Sequence, residues 1–264
     1  MLKYFDCEAG RIPIEECLNK CPRPEGRCLS FPTLKTIGAA REWKGTPSVT
    51  QLINPTRMEY LKLTEDWAVT PKDMAFALLG IRHHSKLEDA AKLLGLDAEV
   101  KFTGEVSGIL DLLEPDELSH GGFKLMDYKT WGSYAVAKNT GLKDSGNDIE
   151  DVQWQLNYYR MLAEEAGIKV SRLFVQACVR DGGTFVAKKN GIEEKLMLIQ
   201  IEKLEDSKVK RFFSAKRFAL MNALENKSLP ELCEVNEQWG GRRCKGYCPV
   251  AEHCPEGRKV NKIF

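Results

Sequence analysis

Residues 106–130 constrain the fold of this chain more than any other stretch, because two apolar runs flank a loop rich in turn-forming residues. The runs V-S-G-I-L-D-L-L and K-L-M-D-Y-K-T, with E-P-D-E-L-S-H-G-G-F between them, predict a strand, a turn and a second strand. Such a hairpin places Asp111 beside Asp127, and side-chain alternation puts Asp127 and Lys129 on one face. Carboxylate oxygens are preferred ligands of Mg²⁺ and Mn²⁺, so the hairpin predicts a cation site, with a salt-bridged surface hairpin as the alternative.

Helical and extended patterns alternate around this hairpin. Apolar residues recur at helical spacing before and after it, and shorter apolar runs bounded by turn residues follow. The predicted helices cover residues 72–94, 148–166 and 204–225, and the predicted strands cover residues 98–129 (about three strands), 169–180 and 195–202. This order of elements predicts an α/β fold with a central mixed sheet flanked by helices.

Composition and charge limit the classes of protein to which the chain can belong. At 264 residues it suits one large domain or a domain with an appendage, and its net charge of +1 excludes a globally basic nucleic-acid binder. A basic cluster at residues 208–217 would allow a local phosphate-binding groove, although such a run is more often a solvated helix face. No apolar run approaches the roughly 20 residues that span a bilayer, and residues 1–6 lack the apolar core of a secretory signal. We therefore expect a cytoplasmic protein with no membrane partner.

Nine cysteines are an unusual number for a chain of this size, and eight of them fall into two groups. In a reducing compartment, grouped cysteines indicate metal binding rather than disulfides. The N-terminal group lies in a segment with little apolar periodicity, which predicts a zinc-stapled knuckle, with a flexible tail as the alternative. Cys178 stands alone in an apolar run and is expected in the core. The first group is Cys7, Cys17, Cys21 and Cys28, and the second is Cys233, Cys244, Cys248 and Cys254.

Two of the predicted helices carry polar residues one turn apart. His84 and Glu88 share a face of the first helix, and Gln155 and Tyr159 share a face of the second. A lone histidine on a helix is usually structural, and polar pairs at this spacing are often only solvent-exposed. His84 therefore counts as a ligand only if the fold brings it to the hairpin carboxylates.

Four short motifs, taken in order, resemble the RecB-type branch of the PD-(D/E)xK nucleases. The first is G-x3-H, which ends at His84, and the second is G-x-x-D, which ends at Asp111. The third is D-Y-K-T, at residues 127–130, and the fourth is Q-L-x-x-Y, at residues 155–159. Each motif is weak alone, but four in this order within residues 48–254 make a specific signal.

The resemblance implies a restriction-endonuclease-like core that hydrolyses DNA phosphodiester bonds with Mg²⁺ or Mn²⁺. It implies that the metal is held by His84, Asp111, Asp127 and the backbone carbonyl of Tyr128. Lys129 would orient the attacking water or stabilise the transition state, and Gln155 and Tyr159 would position the phosphate or brace the site. The implied catalytic set is Asp111, Asp127, Lys129, Gln155 and Tyr159, with Glu88 and Glu105 as further ligand candidates.

The resemblance also bears on the cysteines, because several members of this branch hold a [4Fe–4S] cluster with one early and three late cysteines. The spacing of Cys244, Cys248 and Cys254 resembles the late three. The early cysteine is expected immediately before a proline, where this chain has Asn54. This departure favours a local set in which Cys233 is the fourth ligand, as in phage-encoded members, with Cys28 of the N-terminal group as the alternative. Four thiolates fit either a [4Fe–4S] cluster or Zn²⁺, and spacing does not decide between them.

Together these inferences predict three segments and a nuclease activity. Residues 1–45 would form the cysteine-rich knuckle, 46–227 the nuclease core, and 228–264 a cysteine-cluster segment packed on the core. The expected function is an exonuclease or end-processing enzyme for single-stranded or unwound DNA, in phage or mobile-element recombination or CRISPR-type adaptation, with a helicase, recombinase or integrase partner. The alternative is a catalytically silent nucleic-acid-binding or assembly module on this scaffold. Trp131 and Tyr134 are candidates for base stacking, although core packing is the commoner role.

Overall fold

The computed structural model describes residues 1–39, 42–144 and 149–262. The strands are β1 Leu2–Cys7, β2 Gly10–Pro13, β3 Trp67–Val69, β4 Asp97–Phe102, β5 Gly108–Pro115, β6 Phe123–Trp131, β7 Val170–Val179 and β8 Leu196–Ile201. The α-helices are α1 Ile14–Asn19, α2 Phe31–Ile37, α3 Val49–Ile53, α4 Thr56–Thr64, α5 Ala75–Leu93, α6 Ser133–Asn139, α7 Asp151–Glu165, α8 Phe185–Lys189, α9 Asp206–Glu225, α10 Arg242–Gly246 and α11 Pro255–Asn261. Short 3-10 helices cover Pro71–Met74 and Ala251–His253.

The chain folds into two compact units, each assembled from separate stretches of sequence. The first unit is drawn from Met1–Gly45, Asn54–Leu78 and Lys216–Phe264. The second is drawn from Thr46–Ile53 and Leu79–Ala215. The predicted hairpin lies in the second unit, and both cysteine groups lie in the first.

A five-stranded sheet in the order β4-β5-β6-β7-β8 forms the centre of the second unit. Neighbouring strands are antiparallel except β6 and β7, which run parallel, so the sheet is mixed. Helix α7 packs against β5, β6 and β7, and also against α3. Leu87 and Ala91 of α5 pack against Met126 and Tyr128 of β6. The predicted α/β architecture, with a mixed sheet flanked by helices, is confirmed.

The predicted elements of this unit are present, with shifts of a few residues at their ends. The three strands predicted within residues 98–129 are β4, β5 and β6, and β7 and β8 match the two later predictions. The helix predicted from Asp148 begins at Asp151, and Asp148 itself lies outside the described residues. The helix predicted from residue 72 starts with a 3-10 turn at Pro71, because proline fits the first turn but not a helix interior.

Helix α5 is less buried than its apolar pattern predicts. Leu79 and Ile81 are 43% and 56% exposed, and Ala91 is the buried residue of this helix. Apolar periodicity reports the amphipathic character of a helix, but the buried area depends on which neighbours the fold supplies. Neither α5 nor any other described helix is long and apolar enough to cross a lipid bilayer.

The N-terminal segment of the first unit is more regular than the sequence indicates. Strand β1 pairs with β2 and, in parallel, with the distant β3. This small sheet and helices α1 and α2 enclose a core that contains Phe5, Ile14, Cys17, Leu34 and Ile37. Local apolar periodicity does not reveal this core, because β3, about sixty residues further along the chain, completes the sheet. The C-terminal cysteine segment contains the short helices α10 and α11.

Candidate functional site

The β5–β6 hairpin carries the central carboxylates at the point where its regular pairing ends. Leu112 pairs with Met126, and Asp111 and Asp127 follow immediately beyond this pair. The backbone N–H of Tyr128 donates to Asp111 Oδ2 at 2.7 Å, so a side chain replaces the main-chain partner there. In an antiparallel strand the N–H and C=O of one residue point to the same side, so the Tyr128 carbonyl is directed toward β5 as well. Three groups whose oxygen atoms could bind a metal, the carboxylates of Asp111 and Asp127 and the Tyr128 carbonyl, therefore lie at one end of the hairpin.

Asp127 and Lys129 form a tight ion pair on one face of β6, as the alternation predicts. Lys129 Nζ lies 2.5 Å from Asp127 Oδ2, and the two side chains are 23% and 3% exposed. Burial raises the pKa of Asp127, and the nearby Asp111 raises it further, whereas Lys129 lowers it. Although Lys129 Nζ is so close, Asp127 Oδ2 makes no hydrogen bond of normal angle, so this buried oxygen keeps a lone pair without a directed donor.

Helix α7 supplies the two polar residues that the sequence placed on one face. Gln155 Nε2 donates to Asp127 Oδ1 at 3.2 Å and lies 3.5 Å from the Tyr159 hydroxyl. Burial raises the pKa of the Tyr159 phenol, and the contact with Gln155 lowers it in part. A Cβ at Gly108 would lie 2.7 Å from Tyr159 Cε1, so only glycine allows this close approach. The glycine that begins the G-x-x-D motif therefore has a packing role beneath Tyr159.

Helix α5 brings His84 to the same end of the hairpin. His84 Nδ1 lies 3.4 Å from Asp111 Oδ2, and the imidazole packs edge-on to the Tyr128 ring with centroids 6.0 Å apart. The contact with Asp111 raises the pKa of His84, although burial opposes this. The neighbouring His83 points elsewhere and also packs against the Tyr128 ring. His84 therefore lies beside a carboxylate of the hairpin, which is what a metal ligand at this site requires.

Glu99 of β4 belongs to this cluster, and the sequence analysis missed it. Ala98 pairs with Leu112 and Val100 pairs with Leu110, so Glu99 lies across from Asp111. One ligand atom each from His84, Glu99 and Asp111 lie within 4.8 Å of one another, and among the described residues this is the group that could hold a metal ion. Burial raises the pKa of the Glu99 carboxyl, and the charge of Asp111 adds to this effect. Glu99 is found only from the register of β4 on β5, which the local sequence does not reveal.

The two glutamates proposed from sequence are placed differently from Glu99. Glu88 is close enough to act on Glu99 electrostatically, but its carboxylate binds Lys92 one turn further along α5. Glu105 is exposed in the loop between β4 and β5. Neither belongs to the group formed by His84, Glu99 and Asp111.

The C-terminal cysteines converge on one small, apolar cavity in the first unit. Burial raises the pKa of Cys233 to about 11, and the other three thiols add to this shift. Asn54 donates to Glu59 at 2.9 Å, and the neighbouring Pro55 lines the cavity. Arg57 Nη1 approaches Cys254 Sγ at 3.9 Å and supplies a positive charge. The cysteines that line the cavity are Cys233, Cys244, Cys248 and Cys254.

The N-terminal cysteines also lie near one another. Cys17 is buried in α1, and burial raises its pKa, with further increases from the other three thiols of the group. Sulfurs of a tetrahedral zinc site lie only about 3.8 Å apart, because each Zn–S bond is about 2.3 Å. Among the described residues, no three sulfurs of either cysteine group lie within 4.8 Å of one another. Each group nevertheless brings four thiols near one another in the first unit.

The remaining candidates occupy mixed environments. Cys178 is half-buried on β7 rather than fully within the core. Trp131 is half-buried, and Tyr134 is 44% exposed, with Lys143 Nζ 4.7 Å from its ring centroid. In the basic cluster at residues 208–217, Lys208, Lys210 and Arg211 are exposed on α9, whereas Lys216 is half-buried and pairs with Glu237 at 2.6 Å.

Comparisons with known proteins give likenesses to solved structures only. No protein-family model and no curated protein matches the chain. Among solved structures, it is similar to the crystal structure of SSO0001, with 17% sequence identity and a TM-score of 0.48, over 84% of this chain and 91% of that one. A likeness of this size does not establish a shared fold or function.

Proposed function

We propose that this chain is a divalent-metal-dependent DNA nuclease of the RecB-type branch of the PD-(D/E)xK nucleases, with a restriction-endonuclease-like core. The observation that carries the proposal is the buried Asp127–Lys129 pair on β6, with Asp111 at the adjacent end of β5. The four ordered motifs support the same conclusion, since their side chains come together in one unit. The preference for DNA, and for its free ends, is supported by the resemblance of these motifs.

The donor set of this site suits Mg²⁺ or Mn²⁺. Carboxylates, an imidazole and a main-chain carbonyl are hard or borderline ligands, and no thiol of either cysteine group belongs to this set. Asp127 Oδ2 is a buried acceptor without a directed hydrogen bond, and a bound cation would satisfy this oxygen. The residues that would hold the cation are His84, Asp111, Asp127 and the carbonyl of Tyr128.

Side chains around the cation site would carry out the other catalytic roles. A bound cation would lower the pKa of a coordinated water and offset the charge on the scissile phosphate. Lys129 is the more accessible member of its ion pair, so its ammonium can hydrogen-bond the attacking water or a phosphate oxygen. Gln155 holds Asp127 in place through its amide, and Tyr159 packs behind Gln155. This division keeps the buried carboxylate fixed while the lysine faces the substrate.

The test is cleavage of end-labelled linear DNA and closed circular DNA with Mg²⁺ or Mn²⁺, for the wild type and for Asp127→Asn and Lys129→Ala. We expect the wild type to shorten linear DNA from its ends and both variants to be strongly impaired. Linear single-stranded and duplex substrates, labelled at either end, give strand preference and direction. Variants that cleave as fast as the wild type would overturn the site. A wild type that binds DNA but cleaves nothing with any divalent cation would support the silent binding module instead.

At the C-terminal cysteines we propose a [4Fe–4S] cluster rather than Zn²⁺. A cubane cluster binds each thiolate to a different iron and so holds the sulfurs farther apart than one zinc ion does. The spacing of Cys244, Cys248 and Cys254, which resembles the late three cysteines of the cluster-binding members, supports the cluster. The buried thiols need a positively charged partner to ionise, and a metal supplies it. Its role would be to fold a segment that has few buried side chains.

The second proposed thiolate site is a Zn²⁺ site at Cys7, Cys17, Cys21 and Cys28. These four cysteines lie on β1, on α1 and in the turns that follow, and the pKa of Cys17 responds to the other three thiols. Anaerobic purification, visible absorbance, and iron and zinc analysis test both sites together. A colourless protein with zinc alone would overturn the cluster, and a protein without zinc would overturn the N-terminal zinc site.

A further inference from the structure

We propose that Glu99 is a direct ligand of the divalent cation in this site, alongside His84 and Asp111. The identification of the site as a nuclease centre rests on the proposed function, but the metal-binding role of Glu99 rests on the geometry of β4 and β5. Neither the motifs nor their resemblance assigns this residue.

Three ligand atoms lie close to the separation that one small cation requires. Ligands of Mg²⁺ lie about 2.0–2.1 Å from the ion, so two of them are at most about 4.2 Å apart. The ligand atoms of His84, Glu99 and Asp111 lie within 4.8 Å of one another, so a movement of a few tenths of an ångström brings them to bonding distance. They come from a helix and two adjacent strands, which surround a common point.

The backbone at Glu99 departs from strand geometry at this one residue. Its φ is +52°, a left-handed value that non-glycine residues seldom adopt, although β4 pairs regularly with β5 on either side. Such conformations persist where the surrounding structure requires them and are frequent at binding sites. Glycine or asparagine would satisfy the backbone here more easily, so the glutamate is explained by what its carboxylate does.

The negative charges at this end of the sheet favour the binding of a cation. Three carboxylates, those of Glu99, Asp111 and Asp127, face one ammonium, that of Lys129. Glu88 and Lys101 also act on Glu99 electrostatically, and around this point the carboxylates outnumber the ammonium groups. Beside this group, Asp127 Oδ2 is buried and lacks a directed hydrogen bond, as expected of a second carboxylate that faces the same ion.

Direct measurement of Mn²⁺ binding tests the inference without relying on cleavage. The full chain, with its thiolate-bound metals intact, is titrated with Mn²⁺ by calorimetry and by electron paramagnetic resonance. We expect Glu99→Gln to raise the Kd for Mn²⁺ at least tenfold, because an amide oxygen is a poorer ligand than a carboxylate. Glu193→Gln, which removes an exposed carboxylate elsewhere in the same unit, is the matched control and should leave the Kd unchanged.

Thermal unfolding separates a ligand role from a structural one. Without Mn²⁺, Glu99→Gln should unfold at the same temperature as the wild type or slightly above it, since a like-charge contact with Asp111 is relieved. With Mn²⁺, the rise in Tm should be smaller for the variant than for the wild type. Equal Mn²⁺ affinity and an equal rise in Tm for both proteins would overturn the inference.

Failure of this inference can be told apart from failure of the proposed function. If the wild type cleaves DNA while Glu99→Gln binds Mn²⁺ normally, the inference fails and the nuclease stands. If Glu99→Gln loses Mn²⁺ affinity but the wild type cleaves no nucleic acid, the ligand assignment stands and the nuclease fails. A wild type that binds no Mn²⁺ would overturn both.

Discussion

The acidic site and the C-terminal cysteine group are two clusters of metal-ligand side chains built on different supports. The carboxylates stand on paired β-strands, where hydrogen bonds fix Asp111 and Asp127 before any cation arrives. The cysteines stand on short helices and turns, and α10 contributes no buried residue. A rigid sheet can hold repelling charges together, whereas a loop segment needs the metal to hold itself together. The acidic site should therefore keep its structure without its cation, and the cysteine segment should not.

The largest effect is expected for the lysine that shares a face of β6 with Asp127. Lys129→Ala should lower the rate of DNA cleavage about 10²–10³-fold, because it removes a donor aimed at the reacting water or phosphate. Because this lysine is the ion-pair partner of the buried Asp127, circular dichroism must first show that the variant keeps the fold. Cleavage rates at saturating Mn²⁺ measure the effect, with Lys189→Ala on α8 as the exposed-lysine control. Equal losses in both variants would contradict the assignment.

The next largest effect is expected in the cysteine group, and it should be a loss of stability. Cys248→Ser removes one thiolate, and with it the bound metal, so the unfolding free energy of this unit should fall by about 3 kcal/mol or more. For a protein of this size that corresponds to a fall in Tm of roughly 6–12 °C. Calorimetry and iron content check the prediction. Cys178→Ser, a thiol outside both groups, serves as the control, and an unchanged Tm for Cys248→Ser would show that the segment folds without metal.

A smaller, pH-dependent change in Tm is expected from a substitution at the β5–β6 turn. Asp116 lies in the β5–β6 turn, and the Arg172 guanidinium holds the pKa of this carboxyl well below its usual range. A carboxyl whose pKa is lowered by folding adds stability above its unfolded pKa of about 3.9, and that stability is lost as the pH falls toward the folded value. Arg172→Met should therefore lower Tm at pH 7, and the difference from the wild type should shrink below about pH 4.

An exposed ion pair provides the comparison for this prediction. Lys210 and Glu165 are 3.9 Å apart and more than half exposed, so Lys210→Met should change Tm little at any pH. If Arg172→Met behaved like Lys210→Met, the turn would not owe its stability to the Asp116 pair.

The smallest effect, and the only stabilising one, is expected on β4. Glu99→Gly removes the strain of a left-handed residue and should raise the unfolding free energy by about 0.5–1 kcal/mol. Ala98→Gly, at a regular position of the same strand, should instead lower it by a similar amount. Denaturant titrations of both variants, without divalent cations, give the two values. A destabilised Glu99→Gly would mean that this carboxylate supports the sheet itself.

Local sequence was sufficient for much of the acidic site. Side-chain alternation places Asp127 and Lys129 on one face, and helical spacing puts Gln155 one turn from Tyr159. These relations extend over at most four residues, so they hold wherever the element lies. The same local rules predicted the strands and helices of the second unit to within a few residues.

Only the tertiary structure decided the features that depend on distant pairing. Glu99 joins His84 and Asp111 because the register of β4 on β5, and one positive φ, bring it there. The parallel pairing of β1 with β3 turns an apparently irregular N-terminal segment into a small sheet. Such contacts depend on loop geometry and on the entropy of closing long stretches of chain, which periodicity does not encode. The sequence by itself thus determined which residues share a face, and the fold determined which faces meet.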